Sequence, residues 1–190
     1  MSAIGMRHLV FAPVTSETPG TSITYGSGVA VDHAVRGDVT LDWAEGTDYA
    51  NDIVDDYYKR CTGGTVEVES TVWPDTVAEL LGLEEETGSG SKIYRTLTSA
   101  DAKVGFGFIQ VLRENGTDKY RAWWLHKVTF APGNVSAATM EQDLQWTHVS
   151  LTGKLWTVDL AGTQPEVMQR QDFTTETAAK TWLNGLAGVA

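Results

Sequence analysis

The stretch Asp38-Val39-Thr40-Leu41-Asp42-Trp43, taken with Thr65-Val66-Glu67-Val68-Glu69-Ser70-Thr71-Val72, decides the fold class. Both segments alternate apolar and polar residues with a period of two, the repeat of a pleated strand. Val39, Leu41 and Trp43 fall on one face of the first segment, and Asp38, Thr40 and Asp42 on the other. In the second, Val66, Val68 and Val72 point one way and Thr65, Glu67, Glu69 and Thr71 the opposite way. Paired as a long hairpin, the two make a ribbon with an apolar face and an acidic face. Carboxylates on neighbouring strands repel one another, so rows of them mark a surface selected to be negative.

Between these strands lies Glu45 to Asp56, dense in Asp48, Asn51, Asp52, Asp55 and Asp56. It reads as an excursion between two strands rather than a core element. Its oxygen side chains suit a hard cation, but the glycine and twelve-residue spacing of an EF-hand are missing, and no metal is expected there. The alternatives for the loop are a solvated hairpin tip, or a segment that orders against a neighbouring subunit whose Lys59, Arg60 or Arg36 pairs with it.

The rest of the chain extends the β pattern. Met6–Ala12 reads as a first strand, Pro13–Ser27 as a loop rich in Thr, Ser, Gly and Pro, and Gly28–Val31 as a short strand. Trp73–Gly82 carries the start and stop signals of a helix, with Pro74 and Asp75 at one end and Gly82 at the other. Glu84–Ser91 reads as a loop. Lys103–Arg113 and Lys119–Phe130 flank Asn115-Gly116, the strongest short hairpin signal. Gly105 and Gly107 alternate with Phe106 and Phe108, which predicts close approach by a second layer. Pro132-Gly133-Asn134 reads as a turn. Leu144–Lys154 and Leu155–Leu160 read as strands joined by a tight turn at Gly153-Lys154. Thr174–Ala187 has a helical stripe of Ala178, Ala179, Trp182, Leu183 and Leu186, with Thr174 or Thr175 as its N-cap. The expected class is mainly β, a sandwich or barrel with one flanking helix at about 74–82 and a C-terminal helix at about 174–187. The expected division is a β domain over 1–160, carrying the long loop 45–56, and a C-terminal extension over 161–190.

Composition narrows the function. The chain has 190 residues, 42% of them hydrophobic, with seven tryptophans, enough for a substantial core. The formal charge of −11 argues against a general nucleic-acid binder, which needs a basic footprint. A single cysteine, Cys61, excludes an internal disulfide framework and points to synthesis in the cytosol. The first fifteen residues lack the pattern of a signal peptide, and no window is long and apolar enough to span a membrane. No catalytic constellation is found: His8, His33, His126 and His148 have no ligand spacing, Cys61 has no motif, and Gly88-Ser89-Gly90-Ser91-Lys92 lacks phosphate-loop spacing. The expectation is a protein without catalysis, cofactor or metal. Trp123 and Trp124, adjacent in a strand, must face opposite ways. One fills the core, and the other meets a second layer or a partner chain.

The order of short motifs is similar to that of the major tail tube protein of long-tailed, non-contractile (siphovirus-type) bacteriophages. The resemblance covers about residues 5–160. It rests on Gly5–Pro13, the acidic strand Gly37–Trp43, Glu45-Gly46-Thr47-Asp48-Tyr49-Ala50-Asn51-Asp52, Thr71-Val72-Trp73-Pro74 with the helix ending Leu80-Leu81-Gly82, Gly105–Ile109, and Tyr120–Val128. It implies a β-sandwich subunit of the virion tail, assembled in the host cytoplasm into stacked hexameric rings. Viral DNA would pass through their channel without specific binding. It also implies a tape measure protein and a tail terminator as partners, and no membrane. Carried over by residue, Asp38, Asp42, Glu67 and Glu69 line the channel, and Glu45, Asp48, Tyr49, Asn51, Asp52, Asp55 and Asp56 belong to a loop reaching adjacent subunits. Segment Thr163–Ala190 departs from the shortest members. Two readings compete from the residues alone: a barrel holding a small ligand among Phe106, Phe108 and Trp124, and a hydrolase using carboxylate pairs of the 48–56 loop. A tail-terminator ring protein is the alternative within the resemblance.

Overall fold

A computed structural model describes residues 2–50, 53–87, 91–94, 102–132, 148–161 and 164–189. Among them are eleven strands: β1 (Ser2–Thr18), β2 (Ser22–Tyr25), β3 (Val29–Val31), β4 (Ala34–Ala50), β5 (Ile53–Ser70), β6 (Glu84–Thr87), β7 (Ser91–Tyr94), β8 (Val104–Glu114), β9 (Thr117–Pro132), β10 (Val149–Leu155) and β11 (Met168–Phe173). Two helices accompany them, α1 (Asp75–Leu80) and α2 (Glu176–Ala187). The expected mainly-β class and both helices are present.

Nine strands form one antiparallel sheet in the order β2-β1-β8-β9-β10-β5-β4. β3 is paired to β1, and β11 to β9. The sheet is not a closed barrel. It curls, bringing Met6 of β1 against Gly37 of β4, where a Cβ would meet the Met6 sulfur at 2.6 Å. The concave side holds the main core: Leu9, Phe11, Val66, Val68, Phe106, Val128, Phe130, Leu151 and Leu155 pack there, closed at one end by Val77 of α1 and by Leu81 just after it. Phe106 lies 4.9 Å from Phe11 and 5.5 Å from Phe130, ring to ring. On the opposite side α2 covers β1, β8 and β9 through Ala179, Leu183 and Ala187, over Val10, Ala12, Ile109, Ala122 and Trp124.

α2 begins at Thr175, whose side chain accepts from the Ala178 N–H, and stops at Gly188 with φ 63°. The β8–β9 turn has Asn115 at φ 50° and Gly116 at φ 81°, the mirror-image turn that matches strand twist. Gly105 and Gly107 are required by close approach: added Cβ atoms would meet Trp124 at 2.4 Å and Leu183 at 2.7 Å.

Five local expectations are corrected. Pro13–Ser27 is not all loop, because β1 runs on to Thr18 and pairs with β2; its threonines satisfy the ladder and one another, as in Thr15–Thr24. Gly153-Lys154 is not a turn: Gly153 lies mid-strand, where Val128, Val66 and Phe130 leave no room for a Cβ. Of the predicted Leu144–Lys154 strand, 144–147 fall outside the described residues, as do Gly133 and Asn134. Leu155–Leu160 is no continuous strand, since β10 ends at Leu155 and only isolated bridges follow at Val158 and Leu160. Glu84–Ser91 is not all loop, since its residues Glu84–Thr87 form β6 and pair with β7. β11 was not anticipated. Its polar sequence, Met168-Gln169-Arg170-Gln171-Asp172-Phe173, carries little period-two signal because it lies along the half of β9 that β10 leaves open.

Candidate functional site

The β4–β5 hairpin has two parts with different surroundings. Its base, from Ala34↔Ser70 to Leu41↔Gly64, is joined to β10 as far as Leu155↔Gly64. Register sets the faces: Asp38 lies opposite Glu67, Val39 opposite Val66 and Asp42 opposite Gly63. Side chains of opposed residues share a face. Asp38, Asp42, Glu67 and Glu69 therefore stand on one outer face, with Val39, Leu41, Val66 and Val68 turned into the core. Ser150, Thr152 and Lys154 of β10, opposite Glu69, Glu67 and Thr65, continue that face. Two cations moderate it. Arg36 pairs with Asp38 at 2.5 Å, and Lys154 lies 4.7 Å from the Trp156 ring centroid. Asp42, Glu67 and Glu69 have no ion-pair partner among the described residues.

Beyond Gly64 the hairpin continues without β10. A bulge at Thr62 shifts the register between Asp42↔Gly63 and Trp43↔Cys61, and Gly63 there has φ 143° with the Leu155 carbonyl oxygen 2.6 Å from where a Cβ would be. Only a glycine fits at that point. The distal arm then runs as a two-stranded ladder to Ala50↔Ile53. The expectation of a loop over Glu45–Asp56 is corrected: its described residues, 45–50 and 53–56, are strand. Its aromatic and β-branched residues, Tyr49, Ile53, Val54, Tyr57 and Tyr58, favour extended backbone, and Glu45 and Lys59 close an ion pair of 2.6 Å across the ladder. That contact holds the Glu45 carboxyl below its ordinary range, chiefly by the hydrogen bond from Lys59.

The arm keeps the two faces of the base. Trp43, Glu45, Thr47 and Tyr49, opposite Cys61, Lys59, Tyr57 and Val54, prolong the core-facing side. Cys61 still touches the core; past it the stripe is bare, with Trp43 50%, Tyr57 53%, Val54 54% and Tyr49 66% exposed. Ala44, Gly46 and Asp48, opposite Arg60, Tyr58 and Asp56, prolong the acidic side. Asp48 and Asp56 thus repeat the like-charge opposition of Asp38 and Glu67, each carboxylate also accepting the next residue's N–H at 2.9 and 2.8 Å. Asp55 is the extra residue of a second bulge, between Asp48↔Asp56 and Tyr49↔Val54. Asn51 and Asp52 lie outside the described residues. The sequence reading missed the exposed Ile53, Val54, Tyr57 and Tyr58, although Ile53-Val54 and Tyr57-Tyr58 are strand-forming pairs amid the aspartates.

The remaining candidates lie elsewhere. Phe106 and Phe108 face the concave core and Trp124 faces α2, so the three proposed to hold a ligand do not share a chamber. Trp123 is half-buried against the main core under the guanidinium of Arg170, 5.5 Å from its ring centroid, and so is covered by its own chain. His8, at φ 53°, is buried between Asp32 Oδ1 at 2.9 Å and Asn184 Oδ1 at 2.8 Å, a contact that lowers the Asp32 carboxyl. His126 is buried 3.4 Å from Glu166; desolvation pushes its imidazole down, against the pull of Glu166. Nearby, burial raises the Tyr25 hydroxyl to about 12. Among the described residues no group of three or more His, Cys, Asp or Glu side chains is placed to hold a metal ion, and no helix is long and apolar enough to cross a membrane.

No protein-family model matches the chain, and no curated protein matches it. Among solved structures, a chain of the anti-feeding prophage (AFP) baseplate, from a 6-fold symmetrised cryo-EM structure, is similar at 10% identity over 90% of this chain and 96% of that chain, with a TM-score of 0.37. A likeness of that size carries no argument about function.

Proposed function

We propose that this chain is a structural virion protein, a major tail tube subunit of the long-tailed phage type. Copies close into hexameric rings, the rings stack, and the face bearing Asp38, Asp42, Glu67 and Glu69 lines a channel that viral DNA crosses without specific binding. The arm of each copy reaches across to an adjacent subunit through Glu45–Asp56. No catalysis is assigned. A tape measure protein and a tail terminator are the partners this reading entails, and its location is the virion tail after assembly in the host cytoplasm. Within that reading 1–160 is the tube domain, and 161–190 adds β11 and α2 to its sheet.

The observation that carries the proposal is the pairing on one hairpin of an acidic face only partly offset by cations and a bare apolar stripe. The base opposes Asp38 to Glu67 on a polar face, an arrangement that costs a monomer stability. A surface that must pass a phosphate polymer without retaining it gains from that field, which reaches about 8–10 Å at physiological salt. The arm leaves a stripe of aromatic and aliphatic side chains bare and one long edge of β5 unpaired past Gly64, a liability for a solitary molecule that ring closure removes. Electron microscopy of the purified protein tests the reading. Rings or tubes are expected; a monomer under every assembly condition, with the arm and acidic face solvated, would refute it.

A further inference from the structure

The root of the arm carries a concavity of about 460 Å³ lined by Trp43, Tyr58, Lys59, Arg60, Cys61, Gln164 and Pro165. It opens on the β5 edge that β10 abandons after Gly64. Lys59 is already committed, to Glu45 at 2.6 Å and to the Trp43 ring at 5.1 Å from its centroid. Arg60 is not: it has no hydrogen bond or ion pair among the described residues, and it is exposed. At the other end of the same face stand Asp48 and Asp56, directly opposed and with no cation beside them among the described residues. Asp56 is four positions from Arg60 along β5, about 13 Å of extended chain, beyond the reach of an arginine side chain. One copy therefore holds an unpaired cation in a recess and an unpaired acidic tip that cannot satisfy each other internally.

We infer that the Arg60 recess is the receptor for the arm tip of a second copy, its guanidinium bridging the neighbour's Asp48 and Asp56. This rests on the assembly reading above and names its contact. A guanidinium presents parallel N–H donors to carboxylates, and the neutral flanks at Ala44 and Gly46 leave space on that face for an incoming strand. The contact is heterologous, tip to root, and so propagates around a ring. It also relieves the Asp48–Asp56 repulsion only on assembly.

Charge reversal tests it. Arg60→Glu places like charges in the contact, and Asp56→Arg does the same from the other side. Each alone should raise the protein concentration needed for assembly by about tenfold or more, while both proteins stay folded by circular dichroism and urea unfolding. The doubly reversed R60E/D56R protein should assemble again, and an equimolar mixture of the two single variants should also assemble, by alternation. If wild type assembles and R60E assembles equally well, or if the double variant and the mixture fail while both singles are folded, the receptor assignment is overturned and the assembly reading stands. If wild type forms no assembly, it is the assembly reading that fails.

Discussion

Replacing Glu67 by lysine should make the isolated protein more stable. Glu67 on β5 lies directly opposite Asp38 on β4, and such cross-strand neighbours have Cβ atoms about 4.5–5.5 Å apart, contributing roughly 0.2–1 kcal/mol by the sign of their charges. Arg36, 2.5 Å from Asp38, already offsets part of the repulsion. Lysine removes the remainder and adds an attraction, for a gain of about 0.5–1 kcal/mol at low salt. Glutamine, which only removes the repulsion, should give about half. With a denaturant slope of about 2–3 kcal/mol/M, the urea midpoint read by tryptophan fluorescence should rise by about 0.3 M for lysine. The gain should vanish near 1 M salt, where screening acts within about 3 Å. A lower midpoint, equal effects for Lys and Gln, or a shift indifferent to salt would show that residue 67 does not face Asp38 and would remove the acidic row. A stabilised monomer whose tubes retain DNA would show that the row is kept for passage at the expense of stability.

Three further outcomes follow from the packing and the titrating groups. Gly153→Ala should lose about 1–3 kcal/mol in urea unfolding, because a Cβ there comes within 2.6 Å of Val128, 2.8 Å of Val66 and 2.9 Å of Phe130; a neutral result would mean that β10 is not seated on that core. Leu183→Ala should lose about 2–5 kcal/mol, since Leu183 is fully buried between α2 and the sheet; hydrogen exchange should then speed up first in α2, and uniform speeding would contradict the layer assignment. His126, held neutral by burial, binds a proton more readily unfolded than folded. Stability should therefore fall as pH drops below about 6.5, and His126→Gln should flatten that limb in urea titrations between pH 7 and 5. An unchanged slope would mean that other groups govern the acid limb.

How much of this was legible in the sequence depends on whether a residue's local pattern and its tertiary role agree. The alternation in Asp38–Trp43 and Thr65–Ser70 reports burial on one side, and the ladder places those side chains as the period implies. Asn115-Gly116, the Pro74 and Gly82 bounds of α1 and the Thr175 cap of α2 speak through local chemistry and are equally plain. The arm was obscured because its strands are buried on neither face. Without a core beside them there is no period-two signal, and the aspartates outweighed Ile53-Val54 and Tyr57-Tyr58 in a local reading. Gly153 misled for the opposite reason: glycine beside lysine resembles a turn, whereas here it admits Val66 and Val128 across a strand. β11 depends on a partner about fifty residues away, information that no local window holds. The Arg60 recess exists only once Gln164 and Pro165 lie beside β5.

High-resolution cryo-electron microscopy of the assembled protein bears most directly on the account. The expected density is a closed six-membered ring whose bore is faced by Asp38, Asp42, Glu67 and Glu69. A ring that turns those four carboxylates to its outer surface, or a particle with no bore, would contradict it.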